Sequence, residues 1–304
     1  MAIGVKFASL RFDSDFFFNK EIFYMALKFV LARSLAGLIS KSYYFTKFAR
    51  LVVRSYDNDS NFDMYKNGEF KLLNLILSIK RASGSSSVFV DIGANVGDWS
   101  AALIECGYRG RLVALDPLKR NLEKVRTRLI ALDYNKFDLC EFAVSDKSEK
   151  VKFFSNKDQA NSGTDSLYDM RKIGYNDELD CIDVQTTTLD EFTSKMGISK
   201  INFLKIDIEG NELFALRGAR LLLSSGSIDF IQIEFGHAAR AAGVYLHDIV
   251  NFVNEYDYKI FVIKPAGLLP LDFSPFTENR YSYINFLLVK NSIEHELKKH
   301  ILRR

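Results

Sequence analysis

After residue 88 the chain alternates short apolar runs with segments whose apolar positions recur at helical spacing. Val88–Ile92, Arg111–Leu115, Leu139–Val144, Phe203–Ile208 and Phe230–Phe235 are almost continuously apolar, as strands buried on both faces are. Trp99–Cys106, Leu118–Leu132 and Glu212–Leu223 read as helices between them. Strands alternating with helices predict a parallel sheet covered on both faces. The end of the chain differs. Lys259–Lys264 and Tyr281–Val289 read as strands joined by a Gly- and Pro-bearing loop with no helix, which predicts an antiparallel C-terminal hairpin. Residues 147–188 form an insertion between the third and fourth strands. In it Val151–Phe154 and Ile182–Thr186 read as strands, and Asn156–Gly174 as a polar surface loop of the kind that shapes a substrate pocket.

The first eighty or so residues read as helical. Arg33, Ser34, Gly37, Ser40 and Lys41 fall on one side of a helix, and Leu31, Leu35, Leu38 and Ser42 on the other. A second helix is predicted over 69–81, carrying Leu72, Leu73, Ile76 and Leu77. The polar SGSSS segment, Ser83–Ser87, marks a boundary. The expected architecture is therefore α/β: a seven-stranded, Rossmann-like sheet over 83–290, a helical N-terminal extension over 1–82 and a basic C-terminal tail over 291–304.

Composition narrows the class. With 48% hydrophobic and 26% charged residues, the chain is that of an ordinary globular protein, and four prolines leave little room for long disordered stretches. A net charge of +3 argues against a nucleic-acid partner. The charge is unevenly spread: Lys20–Arg54 holds seven Lys or Arg and one acid, Glu21, hence +6 against about −3 for the rest. A basic, apolar segment of this kind suits peripheral contact with an anionic membrane, with helices packed on the sheet or on another subunit as the plainer alternative. The apolar run 22–39 contains Lys28 and Arg33, which argues against spanning. No secretory signal is evident, and Cys106, Cys140 and Cys181 show neither disulfide nor zinc spacing, so a cytoplasmic protein is expected.

Chemistry-bearing residues gather at the predicted strand ends. Asp91-Ile92-Gly93-Ala94-Asn95-Val96-Gly97-Asp98 follows the first strand and opens a helix. Glycines let a backbone turn sharply and approach a ligand closely, and Asn95 is among the residues that tolerate a left-handed conformation. Gly93 and Gly97 are four apart, which departs from the G-x-G-x-x-G spacing of dinucleotide-binding enzymes. Asp116 closes the second strand, where an acid can accept both hydroxyls of a ribose or cap the helix that follows Pro117. Asp207 and Glu209 sit at the end of the fourth strand, and Glu234 and His237 at the end of the fifth. At that edge of an open α/β sheet ligands bind. Lys205 needs a carboxylate partner if it is buried.

The segments VFVDIGANVGDWS (Val88–Ser100), EFAVSD (Glu141–Asp146), TTLDEF (Thr187–Phe192), FLKIDIEGNE (Phe203–Glu212) and IQIEFG (Ile231–Gly236) resemble the FkbM family of S-adenosylmethionine-dependent O-methyltransferases. The resemblance runs from about Tyr65, where YKNGE is similar to the family's segment before the first strand, to about Val289. LKIDIEG is its specific part. The second strand ends in Asp116-Pro117 where the family usually has Glu-Pro. The resemblance implies a class I methyltransferase sheet and a cofactor, S-adenosylmethionine, held by Asp91, Gly93, Ala94, Asn95, Gly97, Asp116, Pro117, Ala143 and Val144. It implies an acceptor hydroxyl on a sugar, glycan or secondary metabolite, with Asp207, Glu209, Glu234 and His237 placed to take the acceptor's proton. A magnesium ion on these carboxylates is a variant of the same mechanism. Three readings compete: another nucleotide-dependent enzyme, a catalytically degenerate fold serving as a membrane-associated binding module, and a nucleic-acid methyltransferase. The glycine spacing opposes the first, the intact strand-end carboxylates the second, and the absence of an N/D-P-P-Y/F segment after the fourth strand the third.

Overall fold

Strand β1 (Val88–Ile92) lies where the order of the main sheet reverses, and this places the site. The computed structural model describes residues 28, 32–33, 36–37, 40–79, 86–157, 163–175, 178–273 and 282–303. The chain divides into two compact units, Met1–Ser55 and Tyr56–Arg304. In the larger unit β2 (Arg111–Leu115), β3 (Phe137–Cys140), β4 (Ala143–Val144), β5 (Lys150–Asn156), β6 (Leu179–Thr187), β7 (Ile201–Ile206), β8 (Ile228–Phe235), β9 (Tyr258–Lys264), β10 (Gly267–Pro270) and β11 (Ile284–Lys290) follow β1. The main sheet has eight strands in the order β10-β9-β11-β8-β7-β1-β2-β3. From β8 to β3 all pairs are parallel; β11 runs antiparallel between β8 and β9.

Alternation along the strands sends side chains to two apolar layers. Val90, Ile92, Leu204 and Ile206 enter one, with the helices Leu189–Lys195, Glu212–Arg217 and Leu246–Val253. Phe89 and Phe203 enter the other, with Trp99, Leu103 and Val125 from the helices Asp98–Glu105 and Lys119–Ala131. β7 is buried along its whole length, which explains its unbroken apolar run.

The sheet departs from expectation in four places. Gly267–Pro270, read as loop, adds an eighth strand against β9. The run Leu139–Val144 splits at Glu141-Phe142. β3 stays in the main sheet, while β4 joins β5 and β6 of the insertion in a second sheet, with β5 and β6 antiparallel as expected. The helix expected over 212–223 breaks at Gly218-Ala219 into Glu212–Arg217 and Arg220–Ser224. A Cβ at Gly218 would lie 2.2 Å from the Ser145 carbonyl oxygen, so this tight passage is reserved for glycine. The boundary expected near residue 83 moves to 55/56. Leu72, Leu73 and Ile76 of Glu69–Ser78 are buried in the same layer as Phe89, so this helix belongs to the sheet's own core. The C-terminal segment is likewise no loose tail: Asn291–His300 is a 3-10 helix that buries Ile293 and Leu297.

Of the helix expected over 31–42, residues 32–33 and 36–37 are helical and 40–42 are not, while the apolar run 22–39 and the connector 83–87 fall largely outside the described residues. Among the described residues no helix is long and apolar enough to cross a membrane.

Candidate active site

Two clefts open at the carboxyl ends of β1, β2, β7 and β8, on either side of the loop after β1. That loop turns through Gly93 (φ 78°), Asn95 (φ 46°) and Gly97 (φ 85°), all in the left-handed region. Gly93 is fixed by contact as well. A Cβ there would stand 1.8 Å from the Asp207 carbonyl oxygen, so the ends of β1 and β7 meet only because residue 93 lacks one.

The first cleft, open to solvent, spans about 660 Å³. Gly93, Asn95, Asp116, Pro117, Ala143 and Val144 line it, as expected, together with Asn121, Phe142, Phe153 and Leu167. Asp116 is nearly buried. Its Oδ2 accepts from the Asn95 N–H at 2.9 Å, and its Oδ1 from the Leu118 N–H at 2.8 Å and Asn121 Nδ2 at 3.1 Å. The cap on the following helix and a ligand-binding role therefore coexist, since a carboxylate offers about four acceptor sites and three are used. Burial pushes its carboxyl up to about 7, against the pull of those hydrogen bonds.

The second cleft, also open to solvent, spans about 1150 Å³ and is bordered by Phe62, Tyr65, Asn67, Glu69, Ala94 and Trp99, with Lys205, Asp207 and Glu234 also on its wall. Gly93, Asn95 and Asp207 line both clefts. Asp207, Glu209 and Glu234 converge between the clefts, Glu209 on the wall of the first, Glu234 on that of the second and Asp207 on both, with one carboxylate oxygen from each lying within 4.8 Å of the others. Glu209 holds a left-handed conformation (φ 48°) fixed by its surroundings. Its carbonyl accepts from Ser166 Oγ at 2.7 Å, and Glu212 takes the N–H groups of Ile208 and Gly210 at 3.1 Å, tying the loop down. Burial raises the carboxyls of Glu209 and Glu234 well above the ordinary range, and repulsion among the neighbouring acids adds to it. Lys205 answers that charge by donating to Asp207 at 2.7 Å. Burial opposes its ammonium, but Asp207, Asp91 and Glu69 outweigh burial and raise its pKa.

Three expected site residues lie elsewhere. Asp91 is fully buried under the loop, where it accepts from Ser100 Oγ at 2.6 Å, and it lines neither cleft. Gly97 packs on the helix Lys119–Ala131, where a Cβ would come 3.1 Å from Val125 Cα. His237 starts the helix Ala238–Ala242 and rests on the Tyr283 ring at 5.2 Å, also outside both clefts. The structure adds residues that the sequence reading passed over. Glu69 is held by Asn67 Nδ2 and Gln232 Nε2, each at 2.6 Å, beneath the second cleft. It belongs to the YKNGE segment, so a signal was present. Asp165, from the insertion, faces the first cleft and accepts from the Asn156 N–H at 2.6 Å. Tyr283 packs on Phe62 at 5.0 Å. Burial, then the charges of Glu209 and of other neighbours, raise the Tyr283 hydroxyl.

The profile of the Methyltransferase FkbM domain matches residues 91–260, more than half of the chain. The chain belongs to the FkbM methyltransferase family. It is accordingly an S-adenosylmethionine-dependent methyltransferase, and the matched span holds both the loop after β1 and the three convergent acids. Solved structures that the FkbM chain resembles include a putative methyltransferase of Streptococcus mutans in complex with SAH, at 11% identity over 74% of this chain and 98% of that one, with a TM-score of 0.42. Others are an rRNA methylase of Streptococcus thermophilus (14%, 74% and 97%, 0.40) and an O-methyltransferase of Bacillus cereus in complex with SAH (12%, 73% and 80%, 0.39). Comparison with curated proteins returns no match.

Proposed function

We propose that this enzyme methylates a hydroxyl oxygen of a polar acceptor, such as a sugar, a glycan or a hydroxylated secondary metabolite. The observation that carries the reading is the convergence of Asp207, Glu209 and Glu234 beside the loop after β1. A hydroxyl is a weak nucleophile until its proton is drawn off, and a carboxylate whose pKa is raised is a stronger base once ionised. The first cleft fits the cofactor's nucleoside. Phe142, Val144, Phe153 and Leu167 give it apolar walls, the spare acceptor site of Asp116 suits a ribose hydroxyl, and the glycine at 93 leaves room for close approach. Gly93, Asn95, Pro117, Ala143 and Val144 then contact the ligand, Ala94 faces the second cleft, and Asp91 and Gly97 shape the loop from behind.

When bound, S-adenosylmethionine supplies a methyl group on a sulfonium, which an acceptor oxygen takes in line. The chain's own residues do the rest. The acid cluster favours the cofactor's positive charge and receives the acceptor's proton on Glu209 or Glu234. Lys205 donates to Asp207 and its positive charge moderates the repulsion within the cluster. Glu209→Gln or Glu234→Gln is expected to lower kcat by roughly 10²–10⁴-fold and to leave the calorimetric affinity for S-adenosylhomocysteine within about threefold. Full turnover in both variants contradicts the assignment.

A second reading keeps the acceptor and adds a divalent cation. Three carboxylate oxygens within 4.8 Å are a donor set that suits magnesium, although Lys205 already engages Asp207. Activity that survives exhaustive chelation dismisses the ion and leaves the base in place. Activity lost on chelation and restored by magnesium favours it.

A further inference from the structure

The helix Tyr43–Asp57 buries none of its residues. At about 100° per residue, Lys47, Arg50 and Arg54 gather on one side, Phe45, Phe48, Val52 and Tyr56 spread over the opposite one, and Leu51 flanks Lys47. All five apolar residues are exposed, Phe48 by 60% and Leu51 by 61%. No acid occurs from Tyr43 to Ser55, and the exposed Lys28, Arg33 and Lys41 precede the helix.

We propose that this helix lies in the headgroup layer of an anionic lipid membrane, its apolar face in the acyl boundary and its basic face toward the lipid phosphates. A helix that is strongly two-sided yet only modestly hydrophobic overall, with Lys and Arg on one face and aromatic residues on the other, is the form that binds lying flat on a bilayer. Tyr43, Tyr44 and Tyr56 add the amphipathic rings that favour the headgroup level. Charge selects this occupant over a second copy of the chain, because Lys20–Arg54 carries +6 and a self-associated pair would bring like charges together. The residues that follow the helix run on through Phe62 to Glu69, both at the second cleft, so one short stretch of sequence links a membrane-seeking helix to an acceptor-side wall.

The test floats full-length protein with vesicles of phosphatidylcholine alone and with vesicles that also contain phosphatidylserine. Flotation is expected only with phosphatidylserine and should weaken at high salt. Lys47→Ala with Arg50→Ala should lower the partition roughly 30-fold, and Phe48→Ser with Val52→Ser should also release the protein. Binding of S-adenosylhomocysteine, measured on each variant, separates loss of the membrane surface from loss of the fold and is independent of the acceptor reading. The proposal is overturned if the protein stays unbound with phosphatidylserine, floats equally on both vesicles, or floats unchanged in both variants. It is equally overturned if size exclusion shows a dimer that Phe48→Ser with Val52→Ser turns into monomer, since the apolar face is then covered by a second copy.

Discussion

Gly93 shows how tightly single residues bind this site to the sheet. Its left-handed backbone and the 1.8 Å approach that a Cβ would make to the Asp207 carbonyl act together, so Gly93→Ala must push the ends of β1 and β7 apart. A loss of roughly 3 kcal/mol or more in unfolding free energy is expected from strain and clash combined, together with loss of cofactor binding. Denaturant titration and calorimetry check both, and unchanged stability contradicts the contact. Lys205 acts through charge. It lowers the pKa of Glu234 and stands beside Asp207, Asp91 and Glu69. Lys205→Met should therefore move the acid limb of the kcat profile to higher pH, because a carboxyl whose pKa rises needs more alkaline conditions to ionise. It should also destabilise the fold by about 3–5 kcal/mol, the usual scale for orphaning buried charge. An unmoved profile would show that Lys205 serves packing alone.

At the scale of elements, the sequence showed most clearly what periodicity and strand-end chemistry encode. The parallel strands were legible because each is an apolar run ending in an acid or a glycine, and Lys205 was legible because a buried ammonium requires a partner. Two segments were not. Glu69–Ser78 reads as a helix of the N-terminal extension, and only the tertiary structure shows that it shares a core with Phe89 and Phe203. Residues 291–304 read as a basic tail because of Lys298, Lys299, Arg303 and Arg304, yet Ile293 and Leu297 anchor the segment. Leu73→Ala and Leu297→Ala should each cost about 2–5 kcal/mol, the range for emptying a packed core position. A cost under about 0.5 kcal/mol in either would place that segment outside the core. At the site, strand-end position says which edge a side chain such as Asp91 or His237 occupies, not its depth, and both stand off the two clefts. Asp165 comes from the polar loop of the insertion, and Tyr283 from the start of a strand whose pattern says nothing of its neighbours, so only the folded chain brings them to the site.

Across the whole molecule, the buried acids set the response to pH. Burial raises the carboxyls of Asp91, Asp116, Glu209, Glu212 and Glu234, with Asp116 and Glu212 each reaching about 7. An acid whose folded pKa is raised keeps a proton that the unfolded chain has already released, so the stability it contributes falls as pH rises from about 4 to about 7. The melting temperature of the ligand-free enzyme should fall across that window, and a rising one would contradict the burial. Bound cofactor should flatten the fall, because ribose hydroxyls donate to ionised Asp116. The central claim is that the first cleft holds the adenosine of S-adenosylmethionine through Asp116, and calorimetry with S-adenosylhomocysteine tests it most directly. The account expects saturable binding, no binding of NAD, and a weakening of roughly 1.5–3 kcal/mol in Asp116→Ala. Folded protein that gives no heat with S-adenosylhomocysteine, or an Asp116→Ala variant that binds as tightly as the parent, would contradict it.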